Sequence, residues 1–191
     1  MRTTTAAIAA VLLLATLTSC SDDGGDDAKP EPAAATPETG ATSAAPEPVK
    51  PLAIGDAYTW TDETETGITG SSTVLSYEHD VKTAVSASEE IGSEGYVWSA
   101  LELKVCSTEG TFSVSNMPWV LAYEDGARVE PSGTTYEDFP RPEFPHEATV
   151  TAGKCVRGKV VYAVPGDVRP ESVIYSPASL SLPIEWAVPA K

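Results

Sequence analysis

Residues 51–191 predict an all-β domain, an antiparallel sandwich or small barrel. Three observations predict it: apolar residues alternate with polar ones in several separate runs, Gly and Pro punctuate those runs, and no stretch sustains a 3.6-residue period. Leu75, Tyr77, His79, Val81 and Val85 fall on one face, with Ser76, Glu78, Asp80 and Lys82 on the other. Residues 86–93 have room for one helical turn. Leu101, Leu103 and Val105 alternate with Glu102 and Lys104. Residues 122–129 read as a hairpin, because Asp125-Gly126 tolerates positive φ at both central turn positions. Val160, Tyr162 and Val164 alternate with Val161 and Ala163, and Leu180, Leu182, Ile184, Trp186 and Val188 form the last run. Each run is a half-buried strand, and Pro183 pushes the last one toward a sheet edge.

The first 50 residues differ in kind. Residues 6–17 are apolar apart from Thr16, follow a single charged Arg2, and are too few to span a bilayer. Leu17, Thr18, Ser19 and Cys20 come next, and polar residues begin at once. This pattern resembles the bacterial lipoprotein signal, a signal peptide over residues 1–19 ending in a lipobox. The resemblance implies cleavage before Cys20, diacylglycerol on its sulfur, and a lipid anchor on the extracytoplasmic face of the cell membrane. The competing reading is a plain secretory peptide cut at a small-residue site. Two acyl chains, at about 0.8 kcal/mol per buried CH₂, anchor stably where one does not.

Residues 20–50 carry that cysteine and an acidic Pro/Ala-rich tether. Beyond Cys20 it has no aromatic residue, and Val49 is its one branched apolar residue, too little to offset ordering entropy. Asp22, Asp23, Asp26 and Asp27 lack the ligand spacing of a calcium loop and read as a solvated spacer. The five prolines of this stretch stiffen it, giving a reach from about 30 Å as a coil to about 90 Å fully extended.

Charge and cysteines narrow the rest. The chain has 191 residues and a formal net charge of −16, and residues 51–191 hold 21 Asp+Glu against 9 Lys+Arg. Such a body repels phosphate, so nucleic acid is not an expected partner. Cys106 and Cys155 remain once Cys20 is set aside, and in an exported domain two cysteines are expected to pair. Both are out of phase with the apolar residues of their strands, so a bridge between strand ends or neighbouring strands is expected rather than a pin through the core. Two unpaired thiols are the alternative.

A family resemblance covers residues 55–188. Residues 98–106, from Trp98 to Cys106, resemble the strand that opens the immunoglobulin-like domain of many actinobacterial lipoproteins. Pro118, Trp119, Val120 and Leu121, then Asp125-Gly126, fit next. Residues 153–165, with Cys155, Val160, Tyr162 and Pro165, are similar to the family's signature strand, followed by Arg169-Pro170, Val173, Ile174, Tyr175 and Trp186. The small secreted immunogenic antigens of mycobacteria are similar domains. The resemblance implies an immunoglobulin-like antiparallel β-sandwich and a Cys106–Cys155 bridge, and it transfers no catalytic residue.

Candidate chemistry is sparse. His79 lies in the apolar phase of its strand and reads as a hydrogen-bonded core or edge histidine. His146, between Glu143 and Glu147, has no second His or Cys at ligand spacing, so no metal and no cofactor are expected. Nucleophile-elbow and phosphate-loop glycine patterns are absent. Phe139 and Phe144 sit among Pro140, Pro142 and Pro145, and Trp119 follows Pro118. These aromatics either cover the sandwich or present rigid apolar groups to a partner. The expected function is a non-enzymatic binding module for an envelope protein or extracellular ligand. An accessory or spacer protein without a dedicated ligand is the alternative, and a hydrolase is the third reading.

Overall fold

The structure is a computed structural model and describes residues 50–190. The signal segment, Cys20 and tether residues 21–49 lie outside the described residues. Eleven strands and one short helix follow in chain order: β1 (Leu52–Ala53), β2 (Ala57–Thr61), β3 (Thr69–Val81), α1 (Ala87–Ile91), β4 (Tyr96–Glu109), β5 (Thr111–Val114), β6 (Trp119–Ala122), β7 (Arg128–Val129), β8 (Ala148–Thr151), β9 (Cys155–Pro165), β10 (Ser172–Tyr175) and β11 (Ile184–Ala187). One sheet runs β2-β3-β4-β9, a second runs β1-β11-β10-β6-β7, and β5 pairs with β8 in a small separate ribbon. All these pairings are antiparallel except that of β1 with β11.

The alternation of β4 and β9 builds the centre. Leu101, Leu103 and Val105 of β4 and Val160, Tyr162 and Val164 of β9 are buried between the sheets. They meet Trp119 and Leu121 of β6, Val173 and Tyr175 of β10, and Ile184 and Trp186 of β11. Trp119 stacks on Tyr175 with ring centroids 4.1 Å apart and lies 5.7 Å from Trp186. The Tyr162 hydroxyl donates to the Trp119 carbonyl at 3.1 Å, satisfying the one polar atom that this side chain brings into the core.

Four expectations change in the structure. In β3, Val74 pairs with Leu103 and Ser76 with Glu102, so Leu75 is an extra residue that reverses the phase. A second irregularity at Asp80, which has φ 65°, turns Val81 away from the face of Tyr77 and His79, opposite Trp98. The single face expected for residues 75–81 is therefore broken twice. The last strand is not at an edge: β11 lies between β1 and β10, and Pro183 stands just before it, where a missing N–H costs no ladder bond. Leu182 is 72% exposed outside the strand. In the 122–129 hairpin only Gly126 has positive φ; the Gly126 N–H donates to the Tyr123 carbonyl, and Asp125 instead accepts from the Ala127 N–H. This is a longer loop, with one left-handed residue rather than two.

The outer face of β4 and β9 is also covered. Trp98, Val161, Ala87 and Phe139 form a second buried cluster beneath α1 and the segment before β8. Helix α1 has Ser86 as N-cap in a capping box with Glu89, so a helix of five residues is held by its first turn. Trp98 Nε1 donates to the Val85 carbonyl at 2.8 Å, and Glu90 accepts from the hydroxyls of Thr134 and Tyr136. The same segment closes the free edge of β9. Ser132 N–H donates to the Val161 carbonyl, Phe144 N–H to the Lys159 carbonyl, and Lys159 N–H to the Pro142 carbonyl.

Cys106 and Cys155 face each other across the β4–β9 ladder, joined by a disulfide with Cα atoms 4.0 Å apart. The bridge links neighbouring strands near their ends. Closing a loop with a sequence separation of 49 removes unfolded-state entropy worth about 4 kcal/mol.

Residue 158 must be glycine for a spatial reason. A Cβ there would lie 2.4 Å from the Phe144 nitrogen and 2.6 Å from the Glu143 carbonyl carbon, both backbone atoms that cannot swing aside. Gly158→Ala is expected to lift residues 142–144 off β9, open Phe144 to water and cost about 1–3 kcal/mol. Denaturant unfolding measures this, and an unchanged midpoint contradicts it.

Candidate functional site

Phe139, Phe144 and Trp119, expected as a possible contact surface, are buried: 4%, 2% and 0% exposed. Trp119 fills the centre of the core, Phe144 enters it from the covering segment, and Phe139 packs edge-on against Trp98 at 5.0 Å on the opposite face of the sheet. The aromatics of the proline-rich segment are its anchors to the sandwich, and the partner-contact expectation at these positions is corrected accordingly. Burying these large aromatics adds an apolar hold to the backbone bonds that tie the segment to β9.

The histidines are far apart in role. His79 is half-buried, its Nε2 lies 3.2 Å from the Gly166 carbonyl and its Nδ1 2.9 Å from the Tyr77 hydroxyl. A carbonyl only accepts, so Nε2 carries the proton and Nδ1 accepts from Tyr77. Burial raises the Tyr77 pKa, which keeps that donor protonated, and the Arg169 guanidinium lies 5.0 Å over its ring. His146 is exposed; its neighbour Glu143 pairs with Arg141 at 2.7 Å. Among the described residues, no group of His, Cys, Asp and Glu is arranged to hold a metal ion.

The site that the structure does build is a cleft of about 500 Å³ at one end of the sandwich. That volume is typical of ligand sites, about 300–1,000 Å³. The β2–β3 loop, β5 with the residues after it, and the β10–β11 connection meet there. Phe112 borders it half-buried, backed by the buried rings of Trp60 and Tyr175; its hydroxyls include Thr111, Ser113, Thr149 and Ser179, and its carboxylates are Asp62 and Glu65. No Lys, Arg, His or Cys lines it.

Each wall has a local cause. Trp60 lies across Gly70, its cross-strand partner, where a Cβ would come within 2.5 Å of the indole. Trp60 Nε1 donates to Ser72 Oγ at 3.0 Å, and Phe112 packs edge-on at 4.9 Å, so the indole cannot rotate freely. Asp62 Oδ1 accepts from Thr64 N–H at 2.8 Å, Thr64 Oγ1 at 2.6 Å and Glu65 N–H at 2.9 Å. The bond from the Thr64 hydroxyl is the first cause of a lowered Asp62 pKa, so this carboxylate stays charged at neutral pH. Glu63 ties the same loop to the far wall by accepting from Ser181 N–H and Oγ. An anionic rim and hydroxyls suit contact with a cationic or neutral polar ligand.

The sequence alone did not show this cleft, since it joins residues 60–68, 111–118, 149 and 175–179. The nearest signal was the Asp and Glu cluster of the β2–β3 loop, an ordinary feature of an acidic chain.

The fold is that of an immunoglobulin-like β-sandwich, and two solved structures of bacterial proteins are similar to it. MPT63, a secreted protein of Mycobacterium tuberculosis, matches with a TM-score of 0.55 at 17% identity, over 74% of this chain and 100% of that one. The YjhA protein of Bacillus subtilis matches with a TM-score of 0.50 at 14% identity, over 72% of this chain and 99% of that one. At such identities the likeness is one of fold. No protein-family model and no curated protein matches the sequence.

Tyr175 provides a pH test of the cleft wall. Burial pushes its phenol up to about 12, opposed by a hydrogen bond with Ser72. An unfolded tyrosine ionises near pH 10, so between about pH 10 and 12 the folded chain keeps a proton that the unfolded chain has lost. The contribution is fully present below pH 10 and is lost as pH rises toward 12. Tyr123 and Tyr162, also raised by burial, act in the same direction. Unfolding midpoints measured from pH 8 to 12 should fall steeply above 10, with a shallower fall for Tyr175→Phe; equal slopes contradict the assignment.

Proposed function

We propose that this chain is an exported, lipid-anchored protein that acts as a non-enzymatic binding module on the cell surface. Cys20 carries the anchor, which places the body on the extracytoplasmic face of the membrane. The module holds an envelope protein or an extracellular ligand at the end of the sandwich where the cleft opens. The observation that carries the reading is the cleft itself, a built concavity of ligand size walled by hydroxyls and carboxylates over a fixed indole. Support for export comes from the lipoprotein-like motif at residues 17–20, from the disulfide, and from a fold also seen in a secreted mycobacterial protein. The lining of carboxylates and hydroxyls supplies polar groups that a bound ligand can pair with.

The test is crosslinking on intact cells, with mass spectrometry of what is captured. Thr111 and Ser113 are exposed on the cleft wall, so Thr111→Arg with Ser113→Arg should leave the unfolding midpoint nearly unchanged and reduce capture about tenfold. Capture that is unchanged by both substitutions removes the cleft from the function and favours a spacer role. In the same experiment Cys20→Ala should move the protein from the membrane fraction to the medium; retention in the membrane contradicts the anchor.

A further inference from the structure

We infer that the occupant of the cleft is an extended, cation-bearing polypeptide segment, which adds as a strand to the open edge of β5. This rests on the binding reading above and specifies its ligand class.

The first observation is the way β5 meets the cleft. Thr111, Phe112, Ser113, Val114 and Ser115 all border it, although successive side chains of a strand point to opposite faces. A strand that lines a cavity with every consecutive residue turns its backbone edge toward it. The second is that this edge is unpaired. Among the described residues β5 pairs with β8 alone, and no other backbone hydrogen bond reaches residues 111–114. In an antiparallel pair alternate residues direct N–H and C=O away from the partner, so β5 presents a row of donors and acceptors to the cleft. The free edge of β9, by contrast, is closed by residues 142–144. Pro118 and Pro177 also border the cleft and have no N–H to donate to a carbonyl of β5. Main-chain bonds to an added strand give affinity, and side-chain contacts along it give selectivity.

The third observation is charge. Asp62 and Glu65 stand at the cleft and no cation lines it. A second copy of this chain, with 21 acidic against 9 basic residues in its body, is repelled from such an edge. The chain's own residues 21–50, with seven acids against two lysines, are repelled likewise. A strand with Lys or Arg at positions reaching Asp62 and Glu65 is the complement.

The test uses the full chain and a defined probe, a capped octapeptide of alternating threonine and lysine. Two comparators accompany it: the threonine–glutamate octapeptide, and the lysine peptide N-methylated at alternate amides. Hydrogen exchange read by mass spectrometry should show amides of residues 111–115 slowed about tenfold by the lysine peptide and unaffected by the glutamate peptide. N-methylation should weaken binding about tenfold, and Asp62→Asn with Glu65→Gln about fivefold or more. Absence of binding, binding that leaves residues 111–115 unprotected, or equal affinity for the N-methylated peptide overturns strand addition. If one of these occurs while Thr111→Arg with Ser113→Arg still reduces cellular capture, the binding module stands and only this ligand class falls. If capture is also indifferent to those substitutions, the binding reading itself falls.

Discussion

The pairing of β4 with β9 is the constraint on which the rest of the molecule depends. Eleven residue pairs run from Tyr96 opposite Pro165 to Cys106 opposite Cys155 without a register shift. A slip of one residue would drive Glu102 and Lys104 into the core and turn Leu101, Leu103 and Val105 outward. The disulfide fixes one end of that register covalently. With the ladder set, the inner face offers Tyr162 to the Trp119 carbonyl and thereby sets the position of the second sheet, while the outer face offers Trp98 and Val161 to the covering segment.

The covering segment explains why this sheet is buried on both sides. A two-sheet sandwich ordinarily leaves one face of each sheet to solvent, and strands then alternate cleanly. Here Trp98, Ala100 and Val161 are buried on the outer side. The bonds from residues 132–144 to β9 hold the segment by its backbone, and Phe139 and Phe144 hold it by side chains on either face of the sheet. The cleft lies away from this arrangement, where three connections meet and an edge is left open.

Much of this architecture was legible in the sequence. Alternation at residues 101–105 and 160–164 identified the inward side chains correctly, because β4 and β9 pair through these residues without a register shift. Residues 75–81 misled, because bulges at Leu75 and Asp80 change phase, and nothing in the residue types marks them. Val161 and Ala163 gave no polar contrast with Val160 and Tyr162, which is how a strand covered on both faces reads. Pro183 and the 122–129 turn were misread in detail, since the first depends on which strands flank β11 and the second on loop length. Residue type does not sort Phe139, Phe144 and Trp119 into inside and outside, which depends on contacts distant in sequence. The cleft was not legible at all for the same reason.

The parallel pairing of β1 with β11 has a mechanical consequence. Residue 50 leads directly into a strand of two residues, Leu52 opposite Trp186 and Ala53 opposite Ala187. Tension arriving from the N-terminal side is borne first by that short pairing and then by the bond from Gly55 N–H to the Val74 carbonyl. The bond from Trp186 Nε1 to the Asp56 carbonyl comes next. A pull from that side therefore works first on a few bonds at the root of the domain, before it reaches β2 and the cleft wall at Trp60, and well before the crosslinked β4–β9 ladder.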